Sequence, residues 1–155
     1  MKPIRWMAIA SLAAGTVVVS SCTAERPAHE ELCISWMDVS DPQVAYDEAD
    51  AVVLGRSSAT GTTAPMHGIQ ATVHEVEVER VYKGDLTPGT VRVASTPTSC
   101  TAKGGYPDGD PLETEGEVIV FLRTPGSGDV WSLITPSDAV LPAPDGGALP
   151  FERDR

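Results

Sequence analysis

The short stretch "DGDPLETEGE" contains five carboxylates, namely Asp108, Asp110, Glu113, Glu115 and Glu117. Hard cations such as Ca²⁺ take about six to eight oxygen ligands, so weak calcium binding is one chemistry that this stretch suggests. The spacing departs from the EF-hand order, because the required glycine and a third early oxygen ligand are absent. A solvated acidic loop is the alternative interpretation, and we predict no metal site here.

The histidines and serines do not form a recognisable catalytic pattern. His29 lies in a polar segment, His67 in a glycine-containing loop and His74 in the strand-like stretch "VHEVEVER", where it alternates with acids as a solvent-facing residue does. The Met66–His67 pair is a weak signal for a soft metal, with exposed loop residues as the alternative. The sequence contains no G-x-S-x-G elbow, Rossmann fingerprint or glycine-rich phosphate loop. We therefore predict no catalytic residue, no cofactor and no enzymatic activity.

The first 21 residues have the layout of a secretory signal peptide. Lys2 and Arg5 precede an apolar run from Trp6 to Val19, and two small serines follow it. A helix that spans a bilayer needs about 20 apolar residues, so this run is short for a membrane span. We expect residues 1–21 to be cleaved from an exported chain.

The residues Val19, Ser20, Ser21 and Cys22 resemble a bacterial lipobox, in which an apolar residue and two small residues precede a cysteine that is lipidated before cleavage. The resemblance implies that Cys22 becomes the acylated N-terminus of a bacterial lipoprotein, held at the extracytoplasmic face of the cell membrane. Two or more acyl chains hold a protein on a membrane stably. Ordinary cleavage, with Cys22 left as a thiol, is the alternative.

The chain is strongly acidic. Its net charge is −11, and it becomes −13 without Lys2 and Arg5. Such a surface repels phosphate backbones, so we predict no nucleic-acid partner. The segment 22–32 is polar and acidic and is predicted to be a tether. The residues that follow match a single domain in length.

Cys33 and Cys100 remain in a chain that we expect to be exported to an oxidising compartment, which favours a disulfide bond between them. Such a bond would close a long loop and stabilise the fold by about 4 kcal/mol. A metal site or a reactive pair are the alternatives, but no histidine lies at a metal-finger spacing and no CxxC occurs.

Between the cysteines and beyond them, the patterns indicate one short helix and about five strands. The helix starts at Pro42 after an N-cap at Ser40 or Asp41. The alternation in Ile69–Tyr82 changes phase, which predicts a bulge or a sharp coil. Two segments are predicted to be loops, Ser57–Gly68 and Thr101–Glu117. The strands are expected over Ala51–Arg56, Ile69–Tyr82, Thr90–Ser95, Val118–Arg123 and Val130–Ile134.

These elements suggest an all-β domain with one short helix, arranged as a small five-stranded antiparallel barrel, with a two-sheet sandwich as the alternative. The order of "ADAVVLGR", "VEVERVYKG", "VRV", "GEVIVFLR" and "VWSL" after a cysteine and a short helix resembles the netrin-like domains. This family of oligonucleotide- and oligosaccharide-binding (OB) barrels includes the tissue inhibitors of metalloproteinases. The resemblance covers about Cys33–Phe151, leaves 152–155 as a tail, and implies the pairing of Cys33 with Cys100.

In the inhibitor family, the N-terminal cysteine binds the zinc of a protease through its amine and carbonyl. The equivalent by order is Cys33, which lies inside the mature chain, and the family's Cys-x-Cys opening is missing. We therefore expect a membrane-anchored binding module for an envelope or extracellular protein or another ligand. Its binding rim would comprise the two predicted loops, with Asp108, Asp110, Glu113 and Glu115 as binding residues. A protease inhibitor or an enzyme of the envelope is the alternative.

Overall fold

The computed structural model describes residues 34–98, 105–126 and 128–151. The signal peptide, Cys22, the tether, Cys33, Cys100 and the tail 152–155 lie outside the described residues, and the predictions made for them stay predictions. Within the described ranges, no helix is long and apolar enough to cross a membrane.

Among the described residues there is one α-helix, α1 (Pro42–Glu48), and it begins as the sequence predicts. The Asp41 carboxylate accepts a hydrogen bond from the Gln43 N–H at 2.9 Å, and Pro42 occupies the first turn. The acids near its C-terminal end are unfavourable to the helix dipole, but the Lys83 ammonium donates to the carbonyl oxygens of Tyr46 and Asp47 at 2.8 and 2.9 Å. A cation on the last carbonyls stabilises a helix end that the helix sequence alone leaves uncapped.

In the ranges that the structure describes, the rest of the regular structure comprises six strands and a 3₁₀ turn at Asp145–Gly147. The strands are β1 (Ala51–Met66), β2 (Ile69–Lys83), β3 (Gly89–Ala94), β4 (Val118–Arg123), β5 (Val130–Leu133) and β6 (Val140–Pro142). The prediction of a mostly β fold with one short helix is confirmed.

The strands form one mixed sheet in the order β1-β2-β3-β5-β4-β6, and β1 also pairs with β4. These pairings close a ring through five strands, β1-β2-β3-β5-β4, and β6 pairs with β4 on the edge opposite β1. The prediction that all pairs are antiparallel is wrong for β3 and β5, which run parallel. Two consecutive strands can form a hairpin, whereas β3 and β5 are separated by the whole of β4, and this separation permits parallel pairing.

The prediction of a loop over Ser57–Gly68 is wrong as far as Met66, because strand β1 continues to that residue. This part of β1 pairs with β2, and the pairing continues to Met66 and Ile69. The two strands therefore form a long hairpin whose turn consists of His67 and Gly68. Both turn residues have positive φ, 49° and 82°, as a two-residue turn of type I′ requires. Cross-strand pairing to β2 overrides the weak strand propensity of this serine-, threonine- and glycine-rich segment.

Register shifts bend the hairpin where the sequence changes phase. Relative to β1, strand β2 has an extra residue at Glu79 and another at Tyr82, and β1 has two extra residues at Thr60 and Gly61. Gly55 lies where β1 and β2 approach closely, since a Cβ atom built on it would lie 2.3 Å from the Glu77 carbonyl oxygen. The predicted bulge is therefore present, and glycine is needed at position 55 for steric reasons.

The main core lies against β4, whose residues Val118–Leu122 are all buried. Helix α1 contributes Ala45 to this core, and Leu112 enters it from the loop that precedes β4. A second, smaller apolar cluster of Ala71, Val73 and Ala94 is separate from the main core. The two clusters explain why the apolar residues of β2 change phase, because alternate side chains of a strand point to opposite faces.

Candidate functional site

The acidic loop does not present all its carboxylates to solvent. The Asp110 side chain is only 4% exposed, and its Oδ2 lies 2.9 Å from Nε2 of His74, which is fully buried. The other oxygen, Oδ1, accepts a hydrogen bond from the Leu112 N–H at 3.0 Å. Asp110 therefore connects the loop to strand β2 instead of facing a partner.

The interpretation of His74 as a solvent-facing strand residue is wrong, since the loop covers it completely. Its Nδ1 atom is buried without a hydrogen-bond partner among the described residues. A buried nitrogen lone pair without a donor is less unfavourable in folding free energy than a buried N–H without an acceptor. This geometry therefore favours the neutral imidazole, in which Nε2 carries the proton and donates a hydrogen bond to Asp110.

The charge of Asp110 is stabilised where it lies. Burial raises the pKa of this carboxyl, but hydrogen bonds from His74 and the Leu112 N–H, together with the nearby Ser95 hydroxyl, outweigh burial and bring its pKa below the ordinary value of 3.8. The Ser95 hydroxyl acts from close by, although it makes no hydrogen bond of standard geometry. Asp110 is thus an ionised structural residue at neutral pH.

Ser95, His74 and Asp110 have the residue types of a hydrolase triad, but their arrangement is not an active site. Ser95 and His74 have no exposed surface, and Asp110 has almost none, so no substrate reaches them. Tyr106 closes the arrangement further. Its hydroxyl donates to the Ser95 carbonyl at 2.8 Å and accepts from the Thr72 N–H at 3.0 Å. This cluster fastens the loop 105–117 across the ends of β2 and β3.

The other predicted binding acids, Asp108, Glu113 and Glu115, are exposed on the same loop. Glu117 instead accepts from Arg56 at 2.8 Å. In the part of the chain that the structure describes, no group of three or more histidine, cysteine, aspartate or glutamate side chains is placed to hold a metal ion. The structure thus separates Asp110 from the exposed acids with which the sequence groups it.

A groove of about 510 Å³ on the described surface has the volume of a ligand site. Its apolar lining comes from the second cluster, with Ala94 at the bottom and Ala64, Met66 and Val130 around it. The remaining lining residues are Pro65, His67, Arg123, Thr124, Gly126 and Ser132. The groove therefore lies between the tip of the β1–β2 hairpin and the beginning of the segment that joins β4 to β5.

Both walls of the groove are held by specific contacts. On one side, the Asp50 carboxylate accepts from the N–H and the hydroxyl of Thr124, both at 2.8 Å. These hydrogen bonds are the main reason that the pKa of Asp50 is lowered. On the other side, the ring of His67 meets the Trp36 ring edge to face, with centroids 5.5 Å apart. The groove is thus built on restrained residues, as a binding site requires.

A second, smaller cavity of about 250 Å³ lies beside Trp36. The segment Trp36–Val39 lines one part of it, and Thr98 and the segment Thr135–Asp138 line the rest. The segment that follows Cys33 in the sequence and the segment that leads to Cys100 therefore meet at this cavity.

Sequence reasoning identified one part of the groove and missed the other. The predicted rim included the hairpin tip, with Met66 and His67, but it paired this tip with Thr101–Glu117 and not with Arg123–Gly126. The available signals were the His67–Gly68 pair directly before the alternating segment Ile69–Tyr82 and a cation at the end of the apolar strand "VIVFLR". A comparison of the chain with protein-family models, curated proteins and solved structures finds no match.

Proposed function

We propose that this protein is a lipid-anchored, extracytoplasmic lipoprotein whose β domain binds a ligand in the groove between the hairpin tip and the β4–β5 segment. The observation that carries the proposal is the groove itself, which combines an apolar floor with a few polar groups at its edge. Ligand sites in proteins have this composition and a volume of about 300–1,000 Å³.

The domain is, in this proposal, an OB-type barrel related to the netrin-like domains. The ring through β1-β2-β3-β5-β4 and the parallel pairing of β3 with β5 support this interpretation. OB barrels bind ligands with the loops between strands 1 and 2 and between strands 4 and 5. The groove lies between the corresponding segments, and this location argues for a binding role.

The anchor and the disulfide belong to the same proposal. Cys22 carries the acyl chains, and Cys33 is bonded to Cys100. The disulfide is supported by the second cavity, because Cys33 lies three residues before Trp36 and Cys100 two residues after Thr98. Trp36 and Thr98 both line that cavity, and this supports the proposed pairing.

The first test of the binding role compares two phenylalanine substitutions on β1. Ala64 is half-buried in the groove, and Ala64→Phe fills it, whereas Ala59 is exposed outside it. We expect fractions of an envelope extract that contain the ligand to raise the melting temperature of the wild type and of Ala59→Phe, but not of Ala64→Phe. A fraction that stabilises all three proteins equally would contradict binding in the groove.

The anchor and the disulfide are tested by intact mass measurement of the protein extracted from membranes. We expect acyl chains on Cys22, and we expect Cys33 and Cys100 to react with an alkylating reagent only after reduction. A chain without acyl groups, or with thiols that react before reduction, would contradict the corresponding part of the proposal.

A further inference from the structure

Arg123 differs from the other cations of the described residues in having no bound partner. Among residues 34–98, 105–126 and 128–151, the remaining cationic side chains bind carboxylates or backbone carbonyls of their own chain. These bound cations are Arg56, Arg80, Lys83 and Arg92. The backbone of Arg123 pairs with Ser132 in the sheet, but its guanidinium makes no hydrogen bond or ion pair with any described residue. In a chain with a net charge of −11, a cation that binds neither a carboxylate nor a carbonyl oxygen is an unexpected feature.

The neighbouring carboxylate of Asp50 does not neutralise Arg123 by direct contact. Asp50 is engaged by both donors of Thr124, and its hydrogen bonds to Thr124 lower its pKa more than the charge of Arg123 does. Asp50 therefore orients the residue next to Arg123 and leaves the guanidinium free to pair with another anion.

The charges of the groove favour an anion. The described residues that line it include no aspartate or glutamate, and the imidazole of His67 adds a further hydrogen-bonding group to the lining. A guanidinium matches the two oxygens of a carboxylate or phosphate in a bidentate arrangement. One guanidinium supplies one positive charge, which balances a carboxylate better than a phosphate dianion.

We infer that the groove binds a small amphipathic carboxylate, whose acid group pairs with Arg123 and whose apolar body lies on Ala64, Met66, Ala94 and Val130. This inference rests on the proposed function, and it adds the chemical class of the ligand. The volume of about 510 Å³ suits a single aromatic ring or a short alkyl chain with its acid group.

The test uses the full chain as isolated from cells, held in zwitterionic nanodiscs, with phenylbutyrate and octanoate as probes. The matched alcohols, phenylbutanol and octanol, have the same apolar body without the charge. We expect isothermal titration calorimetry at neutral pH to give binding about tenfold tighter for at least one acid than for its alcohol. Arg123→Gln should abolish this preference, because the amide keeps the polar character and removes the charge.

Arg92→Gln is the matched control, since Arg92 is a partly exposed cation that does not line the groove. It should keep the preference for the acid. Equal binding of acid and alcohol, no binding of either acid, or an equal loss in both arginine variants would overturn the inference. These results leave the groove-filling test with Ala64→Phe unaffected, so failure of the ligand class is distinguishable from failure of the binding function.

Discussion

The contact between Asp110 and His74 predicts a large stability difference between two aspartates of the same loop. Asp110→Ala removes the acceptor for buried His74 and for the Leu112 N–H, at 2.9 and 3.0 Å. Asp108→Ala, two residues earlier, removes an exposed carboxylate and serves as the control.

The magnitude follows from burial. Asp110→Ala leaves two donors, the His74 Nε2–H and the Leu112 N–H, without their acceptor. A buried donor that loses its acceptor costs about 1–3 kcal/mol of unfolding free energy. We expect the upper end, about 3 kcal/mol, because two donors are affected. For a domain of this size, the change corresponds to a fall in melting temperature of about 12 °C. The free energy of unfolding of the control, Asp108→Ala, should lie within about 0.5 kcal/mol of the wild-type value.

Urea unfolding followed by far-ultraviolet circular dichroism measures both variants. A double-mutant cycle with His74→Leu then isolates the pair, and we expect a coupling energy of about 2 kcal/mol or more. If Asp110→Ala were as stable as Asp108→Ala, or if the two substitutions in the cycle were additive, the pair would not fasten the loop and the reasoning would be refuted.

Three further predictions follow from single contacts. Gly55→Ala should destabilise the protein by about 3 kcal/mol in urea unfolding, because the added Cβ meets backbone 2.3 Å away, whereas Gly126→Ala has nothing within 4 Å and should be neutral. Asp50→Ala should lower the free energy of unfolding by about 1 kcal/mol and increase hydrogen exchange at the Thr124 amide. Unchanged exchange would contradict the role of Asp50 in the groove wall. The pKa values of Asp50 and Asp110 are lowered on folding, so their stabilisation is present above the ordinary value of 3.8 and is lost as pH falls through the lower native values. Unfolding free energies measured from about pH 6 to about pH 2 should therefore fall less steeply in Asp110→Asn than in the wild type, and equal slopes would contradict this assignment.

Most of the strands could be predicted from the sequence because their alternation or apolar continuity is local. The segment Ile69–Tyr82 and the apolar strand Val118–Arg123 were placed almost to the residue. The second half of β1 was not predicted as a strand, because "SSATGTTAPM" has a turn-forming composition and becomes a strand only through its pairing with β2. Pairing across a hairpin is a contact between segments, and single-segment propensity does not include it.

The candidate site was harder to predict for the same reason. The parts of the groove, the hairpin tip and the cation Arg123, are more than 50 residues apart in the chain. The pairings of β1 with β4 and of β5 with β3 bring them to one surface. Likewise, the acids of "DGDPLETEGE" are equivalent in sequence, and only the covering of His74 by the loop distinguishes Asp110 from its neighbours.

By itself, the sequence determined the strand-rich character, the start of the helix at Pro42, the acidic composition and the lipobox-like stretch ending at Cys22, because each depends on composition or on residues near one another. The tertiary structure decided the parallel pairing of β3 and β5, the burial of His74 with Asp110 and the position of Arg123 beside an apolar groove. These features depend on the closure of the strand ring, which brings distant segments together and changes the surroundings of each side chain.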